Sequence, residues 1–426
     1  MPSAIPELFA WLSSAVDGVK TNLSPGFRGL SSAIALSKLP SVEVTNYEQA
    51  RELREIGAGI QISYNCWKVL ELLGAAAAVK GHVQETIIHR NCITGEALKK
   101  QNFSSADPQY RGQRVRRTRL QAALIAKIPR VIKLRKRLIS LTNIEEGGVN
   151  LVFEDGEEVV ADLVIGGDGI RSVVRQSVFS GHAIQLTGRT IWRVIIPKSL
   201  IIDIPIMTSS TAWWHGLAGH FYNCLVDDPS ETPEEEQIFE IAVHNVVPAA
   251  SVKEKRFSWG IPATNEIVES HFTEYDPRVR QYGLWKEFSS FAGPRLEKVT
   301  AWDKVVLIGD ASHPLTGAFG SGAAFAMQDN WFLAQAIGHT RMSRQPLASA
   351  LAIFDSIRSP YYKKMYEHLD TQTKRVQDAK ANNLKQSFEE MLQLKIKGLS
   401  GGDLSWIYQN YIQTVWEEYL GAEKNA

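Results

Sequence analysis

Cysteine is scarce: Cys66, Cys92 and Cys224 are the whole complement of a chain of 426 residues. An odd number at wide spacing, with no CxxC and no Cys/His cluster, excludes a disulfide scaffold and a zinc module and points to a reducing compartment. No apolar run approaches the roughly 18 residues of a membrane span. The opening stretch MPSAIPELFAWLSSAVDG lacks the basic n-region of a secretory signal, so the expectation is a cytosolic protein with no membrane span. An excess of one charge is missing too, since 47 Lys and Arg face 46 Asp and Glu. That balance removes any global electrostatic case for a nucleic-acid or acidic-membrane partner. Internal repeats and Gly/Ser-rich linkers are also absent, so the domain-sized units that the length allows are expected to interleave along the chain.

What remains is the balance of a globular protein with a sizeable core: 44% hydrophobic and 22% charged residues, 31 Gly and 17 Pro. Apolar residues from Leu8 to Val19 recur at three- and four-residue steps and predict an amphipathic helix over Pro6 to Val19. The run Ser24-Pro25-Gly26-Phe27-Arg28-Gly29 reads as a turn, Leu30 to Leu39 as a helix, and VEVTNYE as a strand ending at Glu48. From Arg114, RVRRTRLQAALIAKI predicts a helix with a basic start. The segment VNLVFEDGEEVVADLVIG predicts a hairpin turning at Asp155-Gly156, whose second strand delivers GGDGIRSVVR. Short alternating β runs follow from Thr187 to about Gly283, among them TIWRVII and HFYNCLV, broken by an acidic stretch from Asp227 to Glu236 that reads as a solvated loop. VVLIGD at Val305 reads as a buried parallel strand opening into a Gly-rich loop and a long helix, and the chain from about Ser349 is helical in period.

A strand, a tight glycine turn and a helix N-terminus make a phosphate site, because glycines admit a close approach and the exposed N–H groups favour anionic oxygens. Gly26 and Gly29 fit the second and third glycines of GxGxxG, and Glu48 lies where an acidic residue takes ribose hydroxyls. Ser24 occupies the first glycine position, and the preceding GVKTNL is a poor buried strand. On this segment alone an ordinary loop between helices stands equally open.

Downstream, Asp168-Gly169-Ile170-Arg171-Ser172-Val173-Val174-Arg175 and Gly309-Asp310-Ala311-Ser312-His313-Pro314 resemble two further fingerprints of the class A flavin-dependent aromatic hydroxylases. The likeness is closest to the salicylate-hydroxylase-like branch common in fungi. It runs from about Gly26 to Tyr366 and takes in Glu48, Gly57-Ala58-Gly59-Ile60, Arg117, Trp192-Arg193 and Asp276-Pro277-Arg278-Val279. The resemblance implies an α/β fold: a Rossmann-like FAD domain (1–75, 105–185 and 285–345) interleaved with a β-sheet substrate domain (76–104 and 186–284) and followed by a helical region (346–426). It implies FAD, NADH or NADPH as reductant, and transfer of oxygen from dioxygen, through a flavin hydroperoxide, to a phenolic or other electron-rich aromatic or polyketide-like small molecule. The cofactor carries the difficult chemistry, while the protein binds, orients and excludes water.

In that frame Asp310 accepts hydrogen bonds from ribityl hydroxyls, and a helix beginning near Gly322 aims its N–H groups, with Ala323, at the flavin pyrimidine edge. Asp168 accepts from groups near the ring or diphosphate, Arg117 and Arg175 supply positive charge near phosphates, and Gly26, Gly29 and Gly59 line the cofactor. Arg193 is the candidate clamp for a substrate carboxylate or phenolate. His215, His220 and Tyr222 are candidates to polarise a phenol, and Trp213-Trp214 serves either an aromatic pocket or the core. The cluster Arg111, Arg114, Arg116, Arg117 and Arg119 lacks interleaved aromatics, so phosphates or solvent explain it better than nucleic acid. No metal site is expected, and nothing in the sequence specifies an oligomeric state.

The departures fall mostly at the diphosphate end. Besides Ser24, Arg28 replaces a small residue, Arg119 a frequent Asp, Gly317 a frequent Pro and Gln328 a frequent Glu. They imply weakened FAD binding and support an alternative: a flavin-fold protein without redox activity, whether a non-redox cyclase, a scaffold or a damaged pseudoenzyme.

Overall fold

The computed structural model describes residues 19–22, 26–53, 58–103, 107–128, 132–145, 147–216, 219–247, 259–279, 284–315, 319–382, 387–400 and 404–425. The helix expected over Pro6 to Val19 lies outside them except for Val19, which opens a strand instead.

In chain order the first elements are β1 (Val19–Asn22), α1 (Phe27–Leu36), β2 (Val44–Tyr47), β3 (Gly59–Ile62), α2 (Tyr64–Leu73), β4 (His82–Val83), β5 (Thr86–Asn91) and β6 (Ala97–Asn102). Then come β7 (Gln113–Arg116), α3 (Arg117–Ile125), β8 (Ile132–Lys133), β9 (Leu138–Asn143), β10 (Val149–Phe153), β11 (Glu158–Ala161), β12 (Val164–Gly166) and α4 (Val173–Val178). The middle of the chain carries β13 (Gln185–Pro197), α5 (Pro205–Thr208), β14 (Thr211–His215), β15 (His220–Leu225), β16 (Ile238–Val246), β17 (Trp259–Ala263), α6 (Asn265–Glu269) and β18 (Trp285–Ala292). It closes with β19 (Thr300–Ala301), β20 (Val305–Leu307), α7 (Gly322–Met342), α8 (Leu347–Asn382), α9 (Phe388–Ser400), α10 (Ser405–Tyr408) and α11 (Ile412–Lys424).

Two large sheets organise these elements. One has the order β19-β20-β12-β1-β2-β8 and is parallel except for the edge strand β19. Its strands β12 and β20 are fully buried runs, as expected of a parallel sheet packed between helices. The strand judged too polar, β1, sits at the centre, pairing Val19 with Val44 through Asn22 with Tyr47 on one side and Asn22 with Gly166 on the other. A ladder completed by two neighbours needs less apolar content of its own than an isolated pattern suggests. The apolar core under this sheet includes Leu30, Ile34, Tyr47, Val164, Val306, Met327 and Phe332.

The second sheet has the order β17-β18-β13-β16-β15-β14-β5-β6. Side chains alternate across it. Trp192, Val194, Trp214, Phe221, Phe239, Ile241 and Val243 face one core. Strand β18, expected with the flavin residues, pairs with β13 over most of its length and belongs here because its odd positions Trp285, Glu287, Ser289 and Phe291 are buried. A second correction concerns Arg114: Gln113–Arg116 is a strand between β3 and β4, and the helix starts only at Arg117.

Candidate active site

Four of the expected cofactor residues, Gly26, Glu48, Asp168 and Asp310, follow the C-terminal ends of β1, β2, β12 and β20 in the six-stranded sheet, where open α/β sheets bind ligands, whereas Gly59 lies on β3 of a separate sheet. Gly26 caps α1 with no side-chain cap and no acidic residue in the first turn, and a Cβ built on it would meet nothing within 4 Å. Ser24 lies outside the described residues. Gly29 is buried, and its carbonyl accepts from Asn46 Nδ2 at 2.9 Å, tying α1 to β2.

Glu48 follows β2 and is only 3% exposed. Its Oε1 accepts the Ala50 N–H at 2.6 Å, while Oε2 is buried without a partner. Burial, only partly offset by that hydrogen bond, pushes its carboxyl up to about 7.

Asp168 follows β12 and accepts the N–H groups of Val173 at 2.7 Å and Val174 at 3.2 Å through Oδ2, so half of this carboxylate caps α4. Its Oδ1 is buried with no partner, and burial raises its pKa. Arg175 is spent on carbonyls, those of Ala311 at 2.9 Å, Asp310 at 3.3 Å and Ile170, so it holds two loops together instead of offering its charge to phosphates.

Asp310 sits in the turn after β20, and its carboxylate pairs with the guanidinium of Arg28. Beneath it, Gly309 takes the left-handed φ of +56° and donates its N–H to Asp329 Oδ2 at 3.1 Å. Asp329 Oδ1 accepts from Arg358 Nε at 2.7 Å and Tyr362 Oη at 2.6 Å, a network with both charged groups 1% exposed. His313 stacks on Tyr362 at 3.4 Å and is a packing residue. Asp329 and Arg358 were missed from the sequence; the signal was the run Gln328-Asp329-Asn330 inside an otherwise apolar helix. Ala323 stands in the first turn of α7, where the N-cap Ser321 makes no side-chain cap and its buried Oγ has no partner.

Arg117 begins α3 and lies over the Phe27 ring at 4.8 Å, next to the start of α1. The other arginines of the basic cluster are taken up by acids: Arg114 by Glu240 at 2.8 Å, Arg116 by Asp227 at 2.7 Å, Arg119 by Glu231 at 2.5 Å and Arg111 by Glu85 at 2.9 Å. The acidic stretch is therefore not simply solvated, since Asp227 is buried and Glu231 also pairs with Lys80. Gly59 has a steric role here: a Cβ on it would lie 2.4 Å from both Arg114 Nε and Glu240 Oε2.

The second face of the eight-stranded sheet carries the expected substrate residues. Register puts Arg193 opposite Ala242, Ala242 opposite Tyr222, Tyr222 opposite Trp213, and Trp213 beside His89, in one row across four strands and onto a fifth. Arg193 Nε is buried and unpartnered. Burial lowers the pKa of this guanidinium, with Glu240 opposing and Arg114 and Arg117 reinforcing the shift. The Tyr222 hydroxyl accepts from Gln84 Nε2 at 3.0 Å, its ring lies 4.7 Å from Trp213, and burial raises its pKa well above the usual value. Trp214, by contrast, points into the core and donates to Asn223 Oδ1 at 2.7 Å, so the tryptophan pair splits between faces.

His215 is fully buried and hydrogen-bonded to His89 at 2.9 Å, with burial pushing its imidazole down to about 3. His220 stacks on His244 at 4.3 Å and is also held neutral by burial. His215 thus sits two residues from the Arg193–Tyr222 row, toward the turn of the β14–β15 hairpin.

The model of the FAD binding domain family matches residues 137–367 of this chain. The chain belongs to that family. Among curated relatives of this flavoprotein, 3-hydroxybenzoate 6-hydroxylase of Polaromonas naphthalenivorans (strain CJ2) is 28% identical over 351 residues, covering 78% of this chain and 82% of the relative. The 6-methylsalicylate 1-monooxygenase of Aspergillus terreus is 28% identical over 368 residues, covering 78% and 77%. A solved salicylate hydroxylase substrate complex superposes with a TM-score of 0.72 at 18% identity over 94% of this chain and 97% of that one, which shows the shared fold. The flavoprotein is an FAD-dependent aromatic monooxygenase of the salicylate-hydroxylase type, so the reading without redox activity is not favoured.

The described residues fit FAD. The N-termini of α1 and α7 carry no side-chain caps, and buried oxygens on Glu48, Asp168 and Ser321 lack partners. Buried polar atoms without partners are costly, and a ligand rich in hydroxyls and amide groups relieves them. Among the described residues no helix is long and apolar enough to cross a membrane, and no cluster of three or more His, Cys, Asp or Glu is arranged to hold a metal.

Proposed function

We propose that the flavoprotein hydroxylates a phenolic or other electron-rich aromatic or polyketide-like small molecule, using dioxygen and NADH or NADPH. The observation that carries this reading is the buried, unpartnered Nε of Arg193 in register with Ala242 and Tyr222, on the sheet face whose Glu240 also meets β3 through Gly59.

FAD would be held by the N-terminus of α1 with Gly26 and Gly29 at the diphosphate, Glu48 at the ribose diol, Asp310 at the ribityl hydroxyls, and Ala323 with the α7 N-terminus at the pyrimidine edge. Asp168 would accept from a polar group near the diphosphate, and Arg117 would add positive charge there. Gly59 would serve this cofactor indirectly, by letting β3 approach the Arg114–Glu240 pair. When bound, FAD supplies the redox chemistry: it takes electrons from the nicotinamide and activates dioxygen.

The chain's own residues then do three things. Arg193 offers a guanidinium to a substrate phenolate or carboxylate; in a site sheltered from water that charge-assisted contact favours the ionised, more nucleophilic ring. Tyr222 and Trp213 present flat aromatic surface that orients the ring. His215 and His220, neutral through the physiological range, shape and polarise the pocket without adding charge that would compete with Arg193.

The test is Arg193→Leu with flavin content held equal. Turnover of a hydroxybenzoate that the parent accepts should fall at least about tenfold, as expected for a lost charge-assisted contact. Unchanged turnover and KM would remove Arg193 from the site.

A further inference from the structure

Arg28 is the second residue of α1, where the resemblance leads to a small side chain, and three elements converge on it. Its carbonyl accepts from Asn330 Nδ2 at 2.6 Å, which anchors the backbone to α7. Its guanidinium pairs with Asp310, the two side chains being 24% and 44% exposed. The stem runs over Gly309, where a built Cβ would stand 2.7 Å from Arg28 Cδ and 2.8 Å from Nε, and Nη1 would be 3.2 Å from a Cβ on Gly169. Both glycines have positive φ, +56° and +83°, and bare the backbone on which this side chain lies.

We propose that Arg28 is a specificity-determining residue that makes the site select a flavin bearing a diphosphate. In the flavin-free protein it neutralises Asp310. On binding it exchanges that carboxylate for the diphosphate at the N-terminus of α1, which releases Asp310 to the ribityl hydroxyls. The inference rests on the cofactor placement argued above.

The physics of the exchange is asymmetric. The Arg28–Asp310 pair is partly exposed and therefore weak, so a ligand can break it. A ligand without phosphates must break it and leave a guanidinium beside the positive end of α1, which has no acidic residue in its first turn. A diphosphate instead receives the guanidinium and the helix N–H groups together, and arginine meets phosphate oxygens with two parallel hydrogen bonds. Being the second helical residue, Arg28 starts within one turn of those N–H groups, and its flexible stem serves either anion.

The experiment measures dissociation constants for FAD and riboflavin by flavin fluorescence on the full chain freed of flavin, for the parent, Arg28→Ala and Arg28→Lys. Removing the guanidinium should weaken FAD about tenfold while tightening riboflavin, and Arg28→Lys should keep most of the preference for FAD. Equal thermal midpoints among the variants establish that the fold is retained, and Arg28→Gln, which also removes the charge and should weaken FAD while tightening riboflavin, carries the test if the alanine variant does not fold. Tightening of both ligands alike would show that Arg28 is only an obstacle, and no change in either would show that it takes no part. A parent chain that binds no FAD would overturn the cofactor placement itself, an outcome distinct from a parent that binds FAD but shows no difference between the ligands.

Discussion

The backbone N–H of Gly309 is received by Asp329 across a 3.1 Å hydrogen bond, so the loop that presents Asp310 is set from inside the protein by a carboxylate on α7. The same carboxylate takes Arg358 and Tyr362 from α8. The site's geometry is thus inherited from a buried ion pair over which the loop is draped.

Asp329→Ala should therefore be severe. It leaves Arg358 buried and uncompensated, and a loss of about 3 to 5 kcal/mol is expected, read as a shift in the chemical denaturation midpoint at unchanged m-value. A loss under about 1 kcal/mol, the range of exposed pairs, would mean that the pair is not buried in solution.

The opposite holds for Asp310 itself. Its partly exposed pair with Arg28 contributes little to folding, so Asp310→Ala should leave the thermal midpoint of the flavin-free protein nearly unchanged while stripping flavin from the purified protein. Retention of the parent's flavin absorbance per chain would remove Asp310 from the cofactor site.

Glu48 gives the site a pH dependence whose sign follows from its environment. Burial raises its carboxyl to about 7, so without ligand the neutral form is favoured, and the stability it contributes is present at low pH and lost as pH rises through about 7. Ribose hydroxyls that donate to the carboxylate favour the charged form. FAD affinity should accordingly rise between pH 6 and pH 8, a span of about one unit on either side of that value, and Glu48→Gln should flatten the dependence. An affinity that falls over the same interval, or a variant with the parent's profile, would refute the assignment.

Much of this was legible in the sequence where glycines and buried strands punctuate it. The Asp155-Gly156 turn, the VVLIGD strand leading to Asp310, and Glu48 at the end of β2 are local patterns that tertiary context leaves alone, but the hairpin's second strand, β11, ends at Ala161, and a separate strand of the six-stranded sheet, β12, leads to Asp168. What escaped depends on distant partners. Strand β1 exists because β2 and β12 flank it, and Gln113–Arg116 is extended because Arg114 and Arg116 reach acids 126 and 111 residues away. Helical and strand periods are indistinguishable in so short and polar a run. In the sequence Asp329 is one polar residue among several in a long helix; only the fold reveals Arg358 opposite it and the Gly309 N–H above it.

The most direct measurement of the central claim is hydroxylation under labelled oxygen. With FAD, NADH or NADPH and an accepted hydroxybenzoate under ¹⁸O₂, mass spectrometry should find one labelled oxygen atom in each hydroxylated product molecule, and none when only the water is labelled. Nicotinamide oxidation that yields no labelled product, or product whose new oxygen comes from water, would contradict the assignment of this flavoprotein as an aromatic monooxygenase.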